Sequence, residues 1–337
     1  MSRRNAALAI FVSANVFGGC PCLQSSLNNS EATRWKLFSA YGANRVCPEM
    51  QNAGVALAVP TIGPASVGRF FPSQCRVRID EQQHTMTVDV MGSGYATLPV
   101  TRRVGFTASF SVEYKPDFYA TEDDLYVWGK FSKIPTAPDF RIVASENALV
   151  NMATITPAGT LANTLANTML SSQLGRGFTV VHTSDGDDFA LGILSPPQKP
   201  PRMFTAGEDN TVLATGYAEI QPSQRDFLGP FTVSGSGKAL TLKATLDKAA
   251  LNYTLVDRAT GERWRQSYER AEPLGAPPAQ PIAMSGLPLG TTQRPYALAP
   301  GQYYFVLENP GAYSLIPLPY SASASYVAYS VEYGDRK

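Results

Sequence analysis

Val104-Gly105-Phe106-Thr107-Ala108-Ser109-Phe110-Ser111-Val112-Glu113-Tyr114 alternates apolar residues with small or polar ones without a break. Successive side chains of a strand point to opposite faces, so this stretch reads as a long strand with one face buried. After the turn formers Lys115-Pro116-Asp117 the alternation resumes at Leu125, Val127, Gly129 and Phe131, and residues 76–80 with 84–91 form an earlier hairpin. Together they predict an antiparallel sheet. The period then changes: Leu149, Met152, Ala153, Leu161, Leu165, Met169 and Leu174 recur at helical spacing. Glu146 is the one charged residue of that run before Arg176, which predicts a long helix enclosed by the sheet. Gly175 and Gly177 end it, and Phe178, Val180 and His182 pair with Phe189, Leu191 and Ile193 around Asp185-Gly186.

Downstream, Ser195-Pro196-Pro197-Gln198-Lys199-Pro200-Pro201 cannot continue a sheet or a helix, because proline lacks the backbone donor and restricts the residue before it. Residues 196–210 are therefore read as a linker. Beyond it short strands are expected at 211–220, 231–233, 239–246, 252–257, 263–268, 303–308 and 324–332, with turns at Ala259-Thr260-Gly261 and Pro300-Gly301. Strands at this density argue for a β-sandwich. The expected fold class is mainly β, α+β overall: an N-terminal curved antiparallel sheet with one long helix, then a C-terminal β-sandwich.

The chain start reads as an export signal. Ser2-Arg3-Arg4 is basic, residues 6–17 are apolar apart from Ser13 and Asn15, and Gly18-Gly19 follow. That run falls short of the about 20 apolar residues that span a bilayer. Phe17-Gly18-Gly19-Cys20 resembles the lipobox of bacterial lipoproteins, with Phe17 in the place where leucine is usual. The resemblance implies cleavage before Cys20 and a diacylglycerol on its thiol; Pro21 in place of Asp implies the outer membrane. The alternative is a secreted or periplasmic soluble protein with Cys20 and Cys22 in disulfides. The organisation expected is a signal peptide at 1–19, a lipid-anchor tether and short helix at 20–67, an α+β antiparallel-sheet domain at 68–195, the linker at 196–210 and the sandwich at 211–337. The short helix rests on Trp35, Leu37, Phe38 and Tyr41. Of the 4 cysteines, Cys47 and Cys75 are the favoured disulfide, because Pro60, Gly63, Pro64 and Gly68 lie between them in a loop that is costly to close.

Composition narrows the function. Lys plus Arg number 28 against 27 Asp plus Glu, a net charge of +1, which gives no field to gather phosphates and argues against a nucleic-acid partner. With 2 histidines and no cysteine after Cys75, no metal site and no cofactor is expected. His182 shares a strand face with Phe178 and Val180 and reads as a core or boundary residue, whereas His84 lies near an exposed turn. Asp185, Asp187 and Asp188, like Glu122, Asp123 and Asp124, suit solvated turns, and calcium ligation is the weaker alternative. Gly235-Ser236-Gly237-Lys238 lacks the first glycine and the closing Ser or Thr of a phosphate loop, and is read as a hairpin turn.

The run from Leu298 and Ala299 through Pro300-Gly301-Gln302-Tyr303-Tyr304-Phe305-Val306-Leu307-Glu308-Asn309, closed by Ala328-Tyr329-Ser330-Val331-Glu332-Tyr333, resembles the last strands of bacterial pre-peptidase C-terminal-type β-sandwiches. That resemblance implies an accessory, non-catalytic module. Three function classes remain. The first is a non-enzymatic envelope lipoprotein, held on the membrane through its N-terminal lipid, that binds an envelope protein or a glycan or serves as a structural module. The second is a lipid-binding or lipid-transfer lipoprotein with an apolar channel lined by Leu161, Leu165 and Met169, since a weakly charged helix inside curved strands is similar to the tubular lipid-binding folds of bacterial envelope proteins. The third is a hydrolase with an unmarked carboxylate pair. No catalytic residue is assigned.

Overall fold

The computed structural model describes residues 29–58, 65–98, 102–146, 173–183, 186–207, 210–309 and 323–335. The fold is mainly β. The three longest strands, β2 (Ser66–Asp80), β3 (Thr85–Leu98) and β4 (Arg102–Ala120), run antiparallel in sequence order. On β4, Val104, Phe106, Ala108, Phe110, Val112 and Tyr114 are all buried, as their alternation requires. The free edge of β4 is divided between β6 (Asp139–Ser145), which takes its first half, and β5 (Leu125–Lys133), which takes its second. β7 (Phe178–Thr183) then pairs with β5, and β8 (Gly186–Leu191) with β7.

The buried face of this sheet is covered by an N-terminal helical segment. Helix α1 (Glu31–Leu37) is capped by Ser30, whose hydroxyl accepts from the Thr33 amide; a π-helical turn (Phe38–Gly42) comes next, then α2 (Ala43–Asn52). The short helix expected from Trp35, Leu37, Phe38 and Tyr41 thus continues through the ten residues of α2. Phe38, Val46 and Met50 face Phe70, Val88, Phe110 and Val127 in one core. The Cys47–Cys75 disulfide ties α2 to β2, with Cα atoms 5.5 Å apart. Such bonds belong to oxidising compartments. Residues 147–172, with Leu161, Leu165 and Met169, lie outside the described residues, as do Cys20 and Cys22. At the end of that expected helix Leu174 is buried, and its carbonyl accepts from the Tyr114 hydroxyl at 3.2 Å.

The second half builds a sandwich. β9 (Thr211–Ile220), β16 (Ser325–Asp335), β11 (Lys238–Leu246) and β14 (Gly290–Ala297) extend the first sheet through one parallel contact, Ser66 with Ala218, giving 12 strands among the described residues once β1 (Val55–Ala58), antiparallel to β2, is counted. Facing them is a sheet of 4 strands: β10 (Gln224–Val233), β15 (Gly301–Asn309), β12 (Leu251–Asp257) and β13 (Ala283–Leu287). Leu228, Leu240, Leu242, Leu255, Phe305 and Val327 fill the space between. Gly235 to Lys238 joins β10 of one sheet to β11 of the other, so it is an arch between layers rather than the expected hairpin turn.

Two expectations fail clearly. Lys115-Pro116-Asp117, expected to turn the chain, continues β4 and pairs with β5. The strand expected at 263–268 is the second half of helix α3 (Arg258–Glu269), and Ala259-Thr260-Gly261 is its first turn. Asp257 caps it, accepting from the Thr260 amide at 2.8 Å, and Arg258–Glu262 and Arg265–Glu269 pair one helical turn apart. Gly261 is there for contact, not for turning: a Cβ would lie 2.4 Å from the Tyr304 ring. Gly105 serves the same end, since a Cβ on it would meet the Glu269 carbonyl, and so the β4 face expected to be open lies under the end of α3.

Two polar clusters are enclosed by this packing. Arg69 of β2 donates to both carboxylate oxygens of Asp226 on β10, at 3.1 and 2.8 Å, and to the Ala53 carbonyl and the Tyr329 hydroxyl. Tyr95 of β3 donates to the same carboxylate at 2.6 Å and accepts from the Phe227 amide, while burial pushes its phenol well above the usual range. In the sandwich, Glu332 is fully buried, with the Lys243 ammonium at 2.6 Å and donors from Asn210 and Gly207 at 3.0 and 3.1 Å. Burial pushes its carboxyl up, but these partners outweigh it and hold it below 4.5. Its contribution to stability is therefore complete above that value and is lost as pH falls through the lowered one. Unfolding midpoints measured from about pH 7 to about pH 3 should drop less steeply in Glu332→Gln than in the parent; parallel curves would contradict this.

Candidate binding pocket

Where α3 crosses the first sheet, three distant parts of the chain meet around a cavity of about 210 Å³. β4 contributes Arg103, β10 contributes Arg225, α3 contributes Trp264, Ser267 and Tyr268, and the segment after α3 contributes residues 272–276 and Pro278. The helix ends at Glu269, with Arg270 as its C-cap. Ala271, with φ +54°, turns the chain back, and the Glu272 amide donates to the Ser267 carbonyl. Pro273, Pro277 and Pro278 keep the returning segment out of any helix or sheet.

The two arginines hold this segment in place. Arg103 donates from Nη2 to the Glu272 carbonyl at 2.8 Å and pairs with Glu146 at 2.7 Å. Arg225 does the same with the Gly275 carbonyl at 2.8 Å and Glu308 at 3.0 Å. Each guanidinium stacks on an aromatic ring of α3, Arg103 over Tyr268 at 4.2 Å and Arg225 over Trp264 at 4.5 Å. The Tyr268 hydroxyl donates to Gln224 Oε1 and accepts from the Arg225 amide. Burial, the leading cause, pushes its phenol up to about 12 against the opposing Arg103 charge, so it stays protonated at neutral pH.

These bonds use one nitrogen of each guanidinium. Among the described residues, Arg103 Nε and Nη1, Arg225 Nε and Trp264 Nε1 are buried N–H donors without a partner. Each of these atoms is closed off from solvent, so they are unpaired groups within the wall and not open contact points of the cavity.

The described histidines and aspartates singled out in the sequence lie elsewhere, and Asp185 is outside the described residues. His182 is half-buried, contacts Asp187 and packs against the Tyr41 ring at 4.7 Å; His84, exposed and with φ +48°, stacks on Trp35 and meets Glu31. Asp187 and Asp188 are paired with Arg45 and Arg202, and Asp124 with Lys199. Sequence reading missed the pocket because its residues share no local motif. The one signal available was on α3, where Trp264 and Tyr268 stand four residues apart within two charge pairs of helical spacing.

No protein-family model matches the chain, and no curated protein matches it. Among solved structures it is similar to a glycoside hydrolase family 43 arabinoxylan arabinofuranohydrolase from Bacillus subtilis in complex with cellotetraose, at 8% identity and a TM-score of 0.23, over 79% of this chain and 67% of that one. It is also similar to a chain of the T13 IBDV viral particle, at 11% identity and a TM-score of 0.19, over 82% and 73%. Likeness at this level carries neither fold nor chemistry over to this chain.

Proposed function

We propose that the protein is an exported cell-envelope module that works by binding, not by catalysis, and recognises a partner through the pocket of Arg103, Arg225 and Trp264. What supports this reading is that Arg103, Arg225 and Trp264, buried and drawn from three distant parts of the chain, converge on one cavity. Guanidinium, indole and a phenol held at about 12 neither take up nor release protons near neutrality, so they suit recognition better than turnover. The disulfide supports export, and the lipobox-like Cys20 supports a lipid anchor at the membrane surface, in line with an outer-membrane lipoprotein.

A photo-reactive residue at position 267, on the pocket wall, tests the binding reading in intact cells. One discrete cross-linked envelope species is expected, and it should be lost when Trp264→Phe shrinks the ring that forms the pocket wall. No adduct, or one indifferent to Trp264→Phe, would refute it. Anchoring is tested separately. Acyl chains on Cys20 add about 0.8 kcal/mol per buried methylene, so Cys20→Ser should move the protein from the membrane to the soluble fraction. A variant that still sediments with membranes would contradict the anchor.

A further inference from the structure

Of the four strands that end the two sheets, three are blunted against further pairing. β8 carries Asp187 and Asp188, β14 carries Arg294 and Pro295, and β10 carries Pro230 beside a shift in its register. Charge, proline and bulges keep a sheet edge from pairing with another chain. The fourth, β13, is Ala283-Met284-Ser285-Gly286-Leu287 and has none of these devices. It pairs with β12 in unbroken register, and its other edge has no strand partner among the described residues. Residues 273–293 around it carry no charge, and three apolar side chains lie open there: Ile282 is 48% exposed, Met284 41% and Leu289 57%.

We propose that β13 pairs antiparallel with β13 of a second copy of this chain, about a two-fold axis at Ser285, so that the two 4-stranded sheets become one continuous sheet. The order of side chains along the strand fits that register. A pair centred on Ser285 sets Met284 opposite Gly286 and Ala283 opposite Leu287, so each large side chain faces a small one, and the two serines face each other. Beyond the strand it sets Ile282 opposite Pro288 and Leu289 opposite Pro281, which extends the apolar contact while the prolines, lacking a backbone donor, limit the ladder to this segment.

The absence of charge selects the occupant. Near a two-fold axis a charged side chain meets its own copy and is repelled, so a neutral edge suits self-pairing, whereas an edge built for a different chain gains from charges that steer that chain to it. A net charge of +1 adds little repulsion between the two copies as wholes.

Sedimentation of the purified full chain from about 1 to 100 μM should show a monomer–dimer equilibrium. Met284→Lys, which sets an ammonium on the edge, should weaken the dimer at least about ten-fold while its circular dichroism matches that of the parent. A second variant reads the register. Under mild oxidation Ser285→Cys should give a disulfide-linked dimer that the parent does not form, because residue 285 faces its own copy at a Cα spacing of about 4.5 to 5.5 Å, within reach of a disulfide. Met284→Cys, whose copy lies diagonally at about 7 to 8 Å, should cross-link far less. A monomer at every concentration, a dimer indifferent to Met284→Lys, growth beyond the dimer, or cross-linking at 284 as ready as at 285 would each overturn the proposal.

Discussion

Arg69→Met should destabilise the protein by about 3–5 kcal/mol, read as a lower urea midpoint, because it leaves the Asp226 carboxylate buried without its counter-ion. The two side chains are 2% and 7% exposed, so water cannot replace the lost partner. Tyr95 keeps its bond to Asp226, but one phenol does not offset a buried charge. The pair also joins the first sheet to the sandwich, which otherwise meet in the sheet through a single parallel contact. Asp226→Leu in the Arg69→Met background should regain much of the loss, since an apolar pair of similar volume removes the unpaired charge. If the double variant is as unstable as the single one, desolvation of Asp226 is not the cause.

Replacing Cys47 and Cys75 together by serine should cost about 3.5 kcal/mol on the chain-entropy view, from a closed loop with a sequence separation of 28. The cross-link holds α2, and with it Val46 and Met50, against the first sheet. Reduction of the parent should reproduce the double serine variant, whereas the sandwich core around Leu242 and Phe305 makes no contact with the bond. Denaturation of the parent with and without reductant measures this; equal midpoints would contradict it.

The strands were legible because a half-buried strand leaves its period in the sequence, as residues 104–114 do. The Cys47–Cys75 pairing was legible in loop entropy. Helix α3 was misread because Trp264 and Tyr268 are good strand formers and Gly261 is a turn former, while the features that make the helix, the Asp257 cap and the charge pairs, are each only local. The pocket depends on that helix. It also depends on Arg103 and Arg225, two unremarkable arginines whose role arises only where β4 and β10 are brought together by tertiary packing. A single parallel register pair between β2 and β9 likewise leaves no trace in composition or spacing.

The most direct measurement is the indole N–H spectrum of the full chain, which has 3 tryptophans, recorded with and without a detergent-solubilised envelope fraction. Trp128 donates to the Leu194 carbonyl at 2.9 Å and serves as the internal reference, whereas Trp264 lines the pocket with Arg225 stacked on its ring. Binding in the pocket should shift the Trp264 resonance and leave those of Trp35 and Trp128 in place. A Trp264 signal that stays put while the protein demonstrably captures its partner would contradict the assignment of this pocket as the binding site.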